Sequence, residues 1–264
     1  MFDAYLKLWR LAPDGDAIVT RSSKLLPVRY GGVPAMLKIA LDAEEARGND
    51  LMEWWAGEGA ARVLARHGDA ILLERATGDA SLAALTRTGR DSEAVRIMCA
   101  TIVLLHRARQ KPPPALFPLD RWFADLAPAA QTHGGVLSLC AETARNLLAA
   151  PGDVTVLHGD IHHGNVLHFD GRGWLAIDPK ALIGERGFDY ANLFCNPDHA
   201  TATDQARFAR RLELVAAAAP IERRRLLQWI LAWAGLSASW LMSEGDAAQT
   251  ELGVAELAAA ALVQ

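Results

Sequence analysis

Read for alternation and period, the chain divides near residue 75. Before that point apolar and β-forming positions come in short runs, AIVTR (17–21), LLPVRY (25–30), VPAMLKIA (33–40), RVLAR (62–66) and AILLE (70–74). Gly31-Gly32 and His67-Gly68-Asp69 supply hairpin turns between them. One helix interrupts the strands: Asp42 is its N-cap, Glu45 stands at the capping-box position, and the apolar period runs to about Trp55. After Thr77-Gly78 apolar positions recur three and four apart, through 81–85 and 93–107, until Pro112-Pro113-Pro114 breaks the pattern. Further helices are predicted at 119–126, 136–149, 203–218 and 221–241. The only strand-like stretch of this half is 154–158 together with the hairpin VLHF (166–169) and WLAI (174–177). The pattern predicts an α+β fold of two lobes, a small β-rich one over 1–75 and a larger helical one over 76–264, with a cleft between them.

Composition narrows the classes. Of 264 residues, 51% are hydrophobic and 22% charged, enough apolar surface for a core and too little charge for disorder. A net charge of -4 argues against nucleic acid as a partner and leans toward a neutral or cationic small molecule. The oligomeric state is open at this level. Cys99, Cys140 and Cys195 are odd in number and lack metal-finger spacing, which fits reduced thiols in a cytoplasmic protein. The start lacks the basic-then-apolar order of a signal peptide. Leu226 to Met242, the longest uncharged run, contains Gln228, Ser237 and Ser239 and reads as a buried helix, so no membrane contact is expected.

Candidate chemistry concentrates in HGDIHHGNVLHFDGRGWLAIDP (158–179). A hairpin with a four-residue turn pairs Phe169 with Trp174 and, by continuation, sets Asn165 opposite Asp178, with Cβ atoms about 5 Å apart. An amide oxygen and a carboxylate so placed can share a hard cation such as Mg²⁺. A bulge in the turn would shift that register. Asp160, five residues before Asn165, adds a carboxylate able to orient a nucleophile and accept its proton. The order D-x-x-x-x-N followed by an Asp at a strand end is the phosphoryl-transfer arrangement of protein kinases. A rival reading takes H-x-D-x-H-H, His158 to His163, as the zinc set of a hydrolase. Against it, His168 falls within a predicted strand and there is no H-E-x-x-H.

HGDIHHGN and WLAIDP resemble the catalytic loop and metal-binding segment of the aminoglycoside phosphotransferases, which share the protein-kinase fold. VPAMLKIA is similar to their nucleotide-lysine strand and LLERATGDASL (72–82) to their lobe connector. RSSK, WLAIDP and GERGFDYANLF look closest to the streptomycin 6-phosphotransferase and hydroxyurea phosphotransferase branch. The resemblance implies an ATP- and Mg²⁺-dependent kinase of an aminoglycoside or of hydroxyurea, conferring antibiotic resistance. Asp160 would be the base, Asn165 and Asp178 the metal ligands, and Lys38 the binder of the α- and β-phosphates. Glu45 would hold Lys38, with the capping box as its other reading. Ser22 and Ser23 would cover the phosphates, Glu74 and Ala76 would offer backbone groups to adenine, and Asp189 would brace the catalytic loop or cap a helix. A nucleotide-binding module without turnover is the third possibility, and the intact set of Lys38, Asp160, Asn165 and Asp178 stands against it.

Overall fold

The computed structural model describes residues 2–263. Strands Ser23–Tyr30, Val33–Ala40, Ala70–Glu74 and Val63–His67 lie side by side in that order, all antiparallel. The short strands Ala12–Pro13 and Ile18–Val19 both pair with Ser23–Tyr30. Gly31 and Gly32, at φ 57 and 83, close the first long hairpin as a two-residue turn with both central residues left-handed, the twist that matches the strands on either side.

Alternation along each strand deals its residues to two cores. Ala70 and Leu72 join Leu26, Val28, Ala35, Leu37 and Ile39 on the outer face, while Ile71 and Leu73 face inward toward the helical half. The outer core is covered by a helix outside the predicted set, Asp3–Leu8, whose Tyr5 and Leu6, with Trp9 at its end, pack against that core. Phe2, Tyr5, Leu6 and Trp9 have the i, i+3, i+4, i+7 spacing of a helix face, and the polar residues between them hid it among strand signals.

The helical half is organised round Arg223–Glu244, which buries Trp229, Ile230, Leu231 and Leu236. Among the described residues it is the one helix long and apolar enough to cross a membrane, but here its apolar side chains are packed within the core. At Gly235 it comes so close to Val136–Ala149 that a Cβ would lie 2.3 Å from Cys140 Cβ. Helix Gln249–Leu262 lies outside the predicted set, and of the expected 119–126 helix only Leu119–Trp122 forms, a separate helix Leu126–His133 starting where it was to end. The strand content also differs from expectation. Val154–Leu157 pairs antiparallel with Leu182–Glu185, which in turn takes Phe117–Pro118 in parallel, so a small sheet stands beside the Val166–Phe169 and Gly173–Ala176 hairpin. LIGE has only two large apolar residues, too few to register as a strand by pattern.

A buried ion pair fixes the helices behind the cleft. Arg211, 1% exposed, donates to Asp91 at 2.7 Å and to the carbonyls of Leu193 and Asn196 at 2.9 and 2.7 Å. Burial works against the Asp91 carboxylate, but the hydrogen bond and charge of Arg211 outweigh it and hold the group below its ordinary value of 3.8. Asp91→Ala leaves the guanidinium buried without its counter-ion, so urea unfolding at pH 7 is expected to show a loss of about 3–5 kcal/mol. In the native chain the stability from this pair is present above pH 3.8 and is lost as pH falls through the depressed native value. The variant should therefore show a shallower acid limb than the native protein.

Candidate active site

Lys38 lies on Val33–Ala40 opposite Leu25 and Ile71, on the inward face of the sheet. An ammonium that is 6% exposed needs carboxylates, and it has two: Glu45 on helix Ala43–Trp55 and Asp178 from beyond the hairpin both form ion pairs with it. The two readings of Glu45 divide between its backbone and its side chain. Its N–H donates to the capping Asp42 at 2.9 Å, while its carboxylate, instead of returning to the Asp42 N–H, takes Lys38 and the Ser22 hydroxyl, the latter at 3.0 Å. Lys180 completes the group, 3.0 Å from Glu44 and 3.7 Å from Glu45. Burial acts against the Lys180 ammonium, but Glu44, with Asp178 and Asp160, raises its pKa above the usual lysine value.

Asp189, wholly buried, holds the turn at 158–160. It accepts the N–H groups of His158 at 2.9 Å and Gly159 at 2.8 Å, and its Oδ2 lies 2.8 Å from His106 Nε2. Burial lowers the His158 pKa despite the neighbouring Asp189 and Asp160. In the neutral ring Nε2 donates to the Ile177 carbonyl at 2.9 Å and Nδ1 accepts the Asp160 N–H at 3.2 Å. The Asp160 carboxylate is oriented by two amides, Asn192 Nδ2 on Oδ1 at 2.7 Å and Asn165 Nδ2 on Oδ2 at 3.1 Å. With its amide nitrogen committed to Asp160, Asn165 has its Oδ1 free of hydrogen bonds among the described residues.

The hairpin register is one residue off the predicted one. Gly173 pairs with Phe169, Trp174 with His168 and Ala176 with Val166. The turn has three residues, Asp170 to Arg172, with Gly171 and Gly173 both at φ 76. That glycine pair absorbs the residue that a four-residue turn would have kept. The partner of Asn165 is consequently Ile177, whose N–H donates to the Asn165 carbonyl at 2.9 Å. Asp178 leaves the ladder at φ 61 and turns its carboxylate to Lys38. Burial opposes its charge, the Lys38 ammonium more than compensates, and the pKa lies below the ordinary carboxylate value. The acid helix meets this segment directly: a Cβ at Gly48 would stand 2.3 Å from the Pro179 carbonyl oxygen.

These residues form one end of a cavity of about 390 Å³ between the sheet and the helical half. Lys38, Glu45, Asp178 and Lys180 make the charged end, and Met36, Leu73, Ala76, Leu167, Phe169 and Ile177 line the apolar remainder. A larger hollow of about 500 Å³, beside Leu126–His133 and Val136–Ala149, contains none of them. Ser22 and Ser23 border the cavity, but Ser23 is closed on its own turn: its N–H donates to Thr20 Oγ1 at 2.9 Å and its hydroxyl lies 3.0 Å from the same atom. The N–H of Glu74 is taken by the Arg62 carbonyl at 3.0 Å. Its side chain, given no role by the sequence reading, accepts from the Arg62 N–H at 2.6 Å and pairs with Arg172 of the hairpin turn.

The zinc set of the rival reading is not assembled. Both nitrogens of His158 are engaged, His162 Nδ1 accepts the Gly164 N–H at 3.0 Å, and no group of three or more His, Cys, Asp or Glu among the described residues is disposed to hold a metal by itself. Sequence reasoning missed Asn192, Lys180 and His106. Asn192 stood in the quoted FDYANLF, three residues after Asp189, and its position on the 3₁₀ turn Asn192–Cys195 carries no periodic signal.

A family model described as aminoglycoside/hydroxyurea antibiotic resistance kinase matches residues 8–245. A streptomycin 3''-kinase of Klebsiella pneumoniae is 50% identical over 245 residues, covering 91% of this chain and 92% of that protein. A streptomycin 6-kinase of Streptomyces griseus is 31% identical over 94% of this chain and 85% of its own, and a hydroxyurea phosphotransferase of Kitasatospora aureofaciens is 30% identical over 96% and 76%. In fold, the chain is similar to a thermostable mutant of aminoglycoside phosphotransferase APH(4)-Ia, solved with AMP-PNP and hygromycin B. The TM-score is 0.69 at 14% identity, over 99% of both chains. The likeness extends to a choline kinase of Cryptosporidium parvum Iowa II, with TM-score 0.62 at 12% identity over 95% of this chain and 88% of that one.

Removing the Asp189 carboxylate leaves two buried N–H groups and an imidazole without their acceptor. Asp189→Ala is expected to lower the unfolding free energy by about 1–3 kcal/mol for each donor left open, and to speed amide exchange at His158 and Gly159 while the strands of the sheet keep their protection.

Proposed function

The chain belongs to the aminoglycoside/hydroxyurea antibiotic resistance kinases, phosphotransferases with an alcohol group as acceptor, and on that footing we propose that it transfers the γ-phosphate of ATP to the 3''-hydroxyl of streptomycin. The supporting observation for the acceptor is the 50% identity with a streptomycin 3''-kinase over 91% of the chain, against 31% and 30% for the 6-kinase and the hydroxyurea enzyme. The chemistry is supported by a cavity with an apolar body and a charged end of two lysines and two carboxylates, and by the amide-oriented carboxylate of Asp160.

In this reading adenine lies in the apolar slot beside Leu73 and Ala76, and Lys38 meets the α- and β-phosphates. Asp160 holds the acceptor hydroxyl and takes its proton as the oxygen bonds to the γ-phosphorus. The bond from that phosphorus to the β–γ bridging oxygen breaks, and ADP leaves. Positioning and charge stabilisation carry most of the catalysis, because the phosphoryl group needs no covalent help from the protein. Asn165 and Asp178 suit Mg²⁺, which takes hard oxygen ligands and shares them with substrate phosphates: the Asn165 amide oxygen is uncommitted and Asp178 stays ionised. Bound there, Mg²⁺ would neutralise charge on the β- and γ-oxygens.

The purified protein with ATP, Mg²⁺ and streptomycin is expected to yield one phosphorylated product, assigned to the 3'' position by NMR. A 6-phosphate would overturn the regiochemistry, and turnover with hydroxyurea alone would overturn the acceptor. Asp160→Asn should reduce kcat by about 10²- to 10⁴-fold with nucleotide affinity unchanged, whereas Asp178→Ala should weaken Mg²⁺-nucleotide binding itself. Retained turnover in Asp160→Asn would remove Asp160 from the role of base.

A further inference from the structure

Lys180 has no part in the roles assigned so far, yet its backbone is fixed from several sides. Its N–H donates to the His158 carbonyl at 2.7 Å. It stands between Asp178 at φ 61 and Ala181 at φ 53, left-handed conformations that non-glycine residues keep only where the surroundings impose them. It also touches the turn that carries the base: a Cβ added at Gly159 would lie 2.9 Å from Lys180 Cβ. The residue is thus wedged between the loop of Asp160 and the segment of Asp178. Its side chain crosses to helix Ala43–Trp55 and lines the charged end of the cavity.

Its partner there does not explain this placement. The Glu44 side chain is 35% exposed, and a pair with so accessible a carboxylate adds little to stability. Glu45, 3.7 Å away, already takes Lys38 and the Ser22 hydroxyl. Beyond the Mg²⁺ of the kinase reading, the transferring phosphoryl group has no other side-chain cation assigned to it among the described residues: the segment from His158 to Asn165 contains no lysine or arginine, Lys38 is given to the α- and β-phosphates, and Arg21 and Arg75 are paired with Glu244 and Asp14. Charge in phosphoryl transfer is spread over three equatorial oxygens, which calls for a donor on the acceptor side of Lys38.

We propose that Lys180 is a ligand of the γ-phosphate, its ammonium leaving Glu44 for the non-bridging γ-oxygens when ATP binds and staying with that group through transfer to the acceptor. The inference rests on the kinase reading and identifies the residue that distinguishes ATP from ADP.

The test is nucleotide binding without acceptor, by calorimetry with Mg²⁺-AMP-PNP and Mg²⁺-ADP, on the native chain, Lys180→Met, Lys180→Arg and Glu44→Gln. Lys180→Met keeps most of the stem and removes the charge. It is expected to weaken AMP-PNP by about 10- to 100-fold and ADP by less than about threefold. With acceptor present its kcat should fall by about 10²- to 10³-fold. Lys180→Arg should restore part of the AMP-PNP affinity, and Glu44→Gln should keep the native preference for AMP-PNP over ADP. Equal losses for both nucleotides, or the same losses in Glu44→Gln, would make the lysine a structural brace and overturn the proposal, as would unchanged affinities in Lys180→Met. If the native chain binds neither nucleotide the kinase reading itself falls. If it binds both and phosphorylates streptomycin while Lys180→Met is indifferent, only this inference falls.

Discussion

The inward-facing ammonium of Lys38 is the constraint on which the arrangement of the molecule depends. A buried positive charge on a β-strand is tolerable only when carboxylates reach it, and here they come from two directions, one from the helix laid across the sheet and one from the far side of the cleft. Sheet, helix and hairpin are therefore joined at a single charge. Backbone pairing supports the joint: the Ala61 N–H donates to the Ala176 carbonyl and the Ala176 N–H to the Gly59 carbonyl, each at 2.9 Å, so the chain leaving the helix is bound to the hairpin. The polar end of the cavity follows from that junction, and its apolar body follows from the strand alternation that points Met36 and Leu73 the same way as Lys38.

Sequence and structure agree where a local signal was also a sufficient one. Glycines at 31 and 32 mark a hairpin turn, Asp42 with Glu45 three residues later announces a helix start, and D-x-x-x-x-N followed by an aspartate at a strand end is a three-part signal. Agreement fails where the outcome depends on distant atoms. The hairpin register turned on Gly173, whose left-handed backbone converts a four-residue turn into a three-residue one, and a glycine's choice of φ is not written in its neighbours. Helix Asp3–Leu8 exists because the outer face of the sheet needs a cover, a demand visible only once the sheet is built. Asn192 reaches Asp160 across 32 positions through two short 3₁₀ turns that have no period to read. Lys180 belongs to no motif, and its mark, the left-handed backbone at Asp178 and Ala181, exists only in the folded chain.

The site is assembled in layers that differ in burial. Asp189 and His158 are buried with their polar groups committed, and they hold the turn at 158–160 as an extension of the core. Asp160 and Asn165 stand on that base, the Asp160 carboxylate accepting from the amides of Asn165 and Asn192. Lys180 and Glu44, both partly exposed, hold one another, and Ser22 holds Glu45.

Gly48 gives the arrangement its gauge. Where helix Ala43–Trp55 passes the Pro179 carbonyl there is no room for even one carbon, so the separation between the acid helix and the aspartate segment is set by backbone resting on backbone. Such a stop has no rotamers, loses no side-chain entropy when the two parts meet, and cannot drift as side chains repack. The spacing of Glu45 and Asp178 across the cleft thus rests on the one residue of the helix that has no side chain at all.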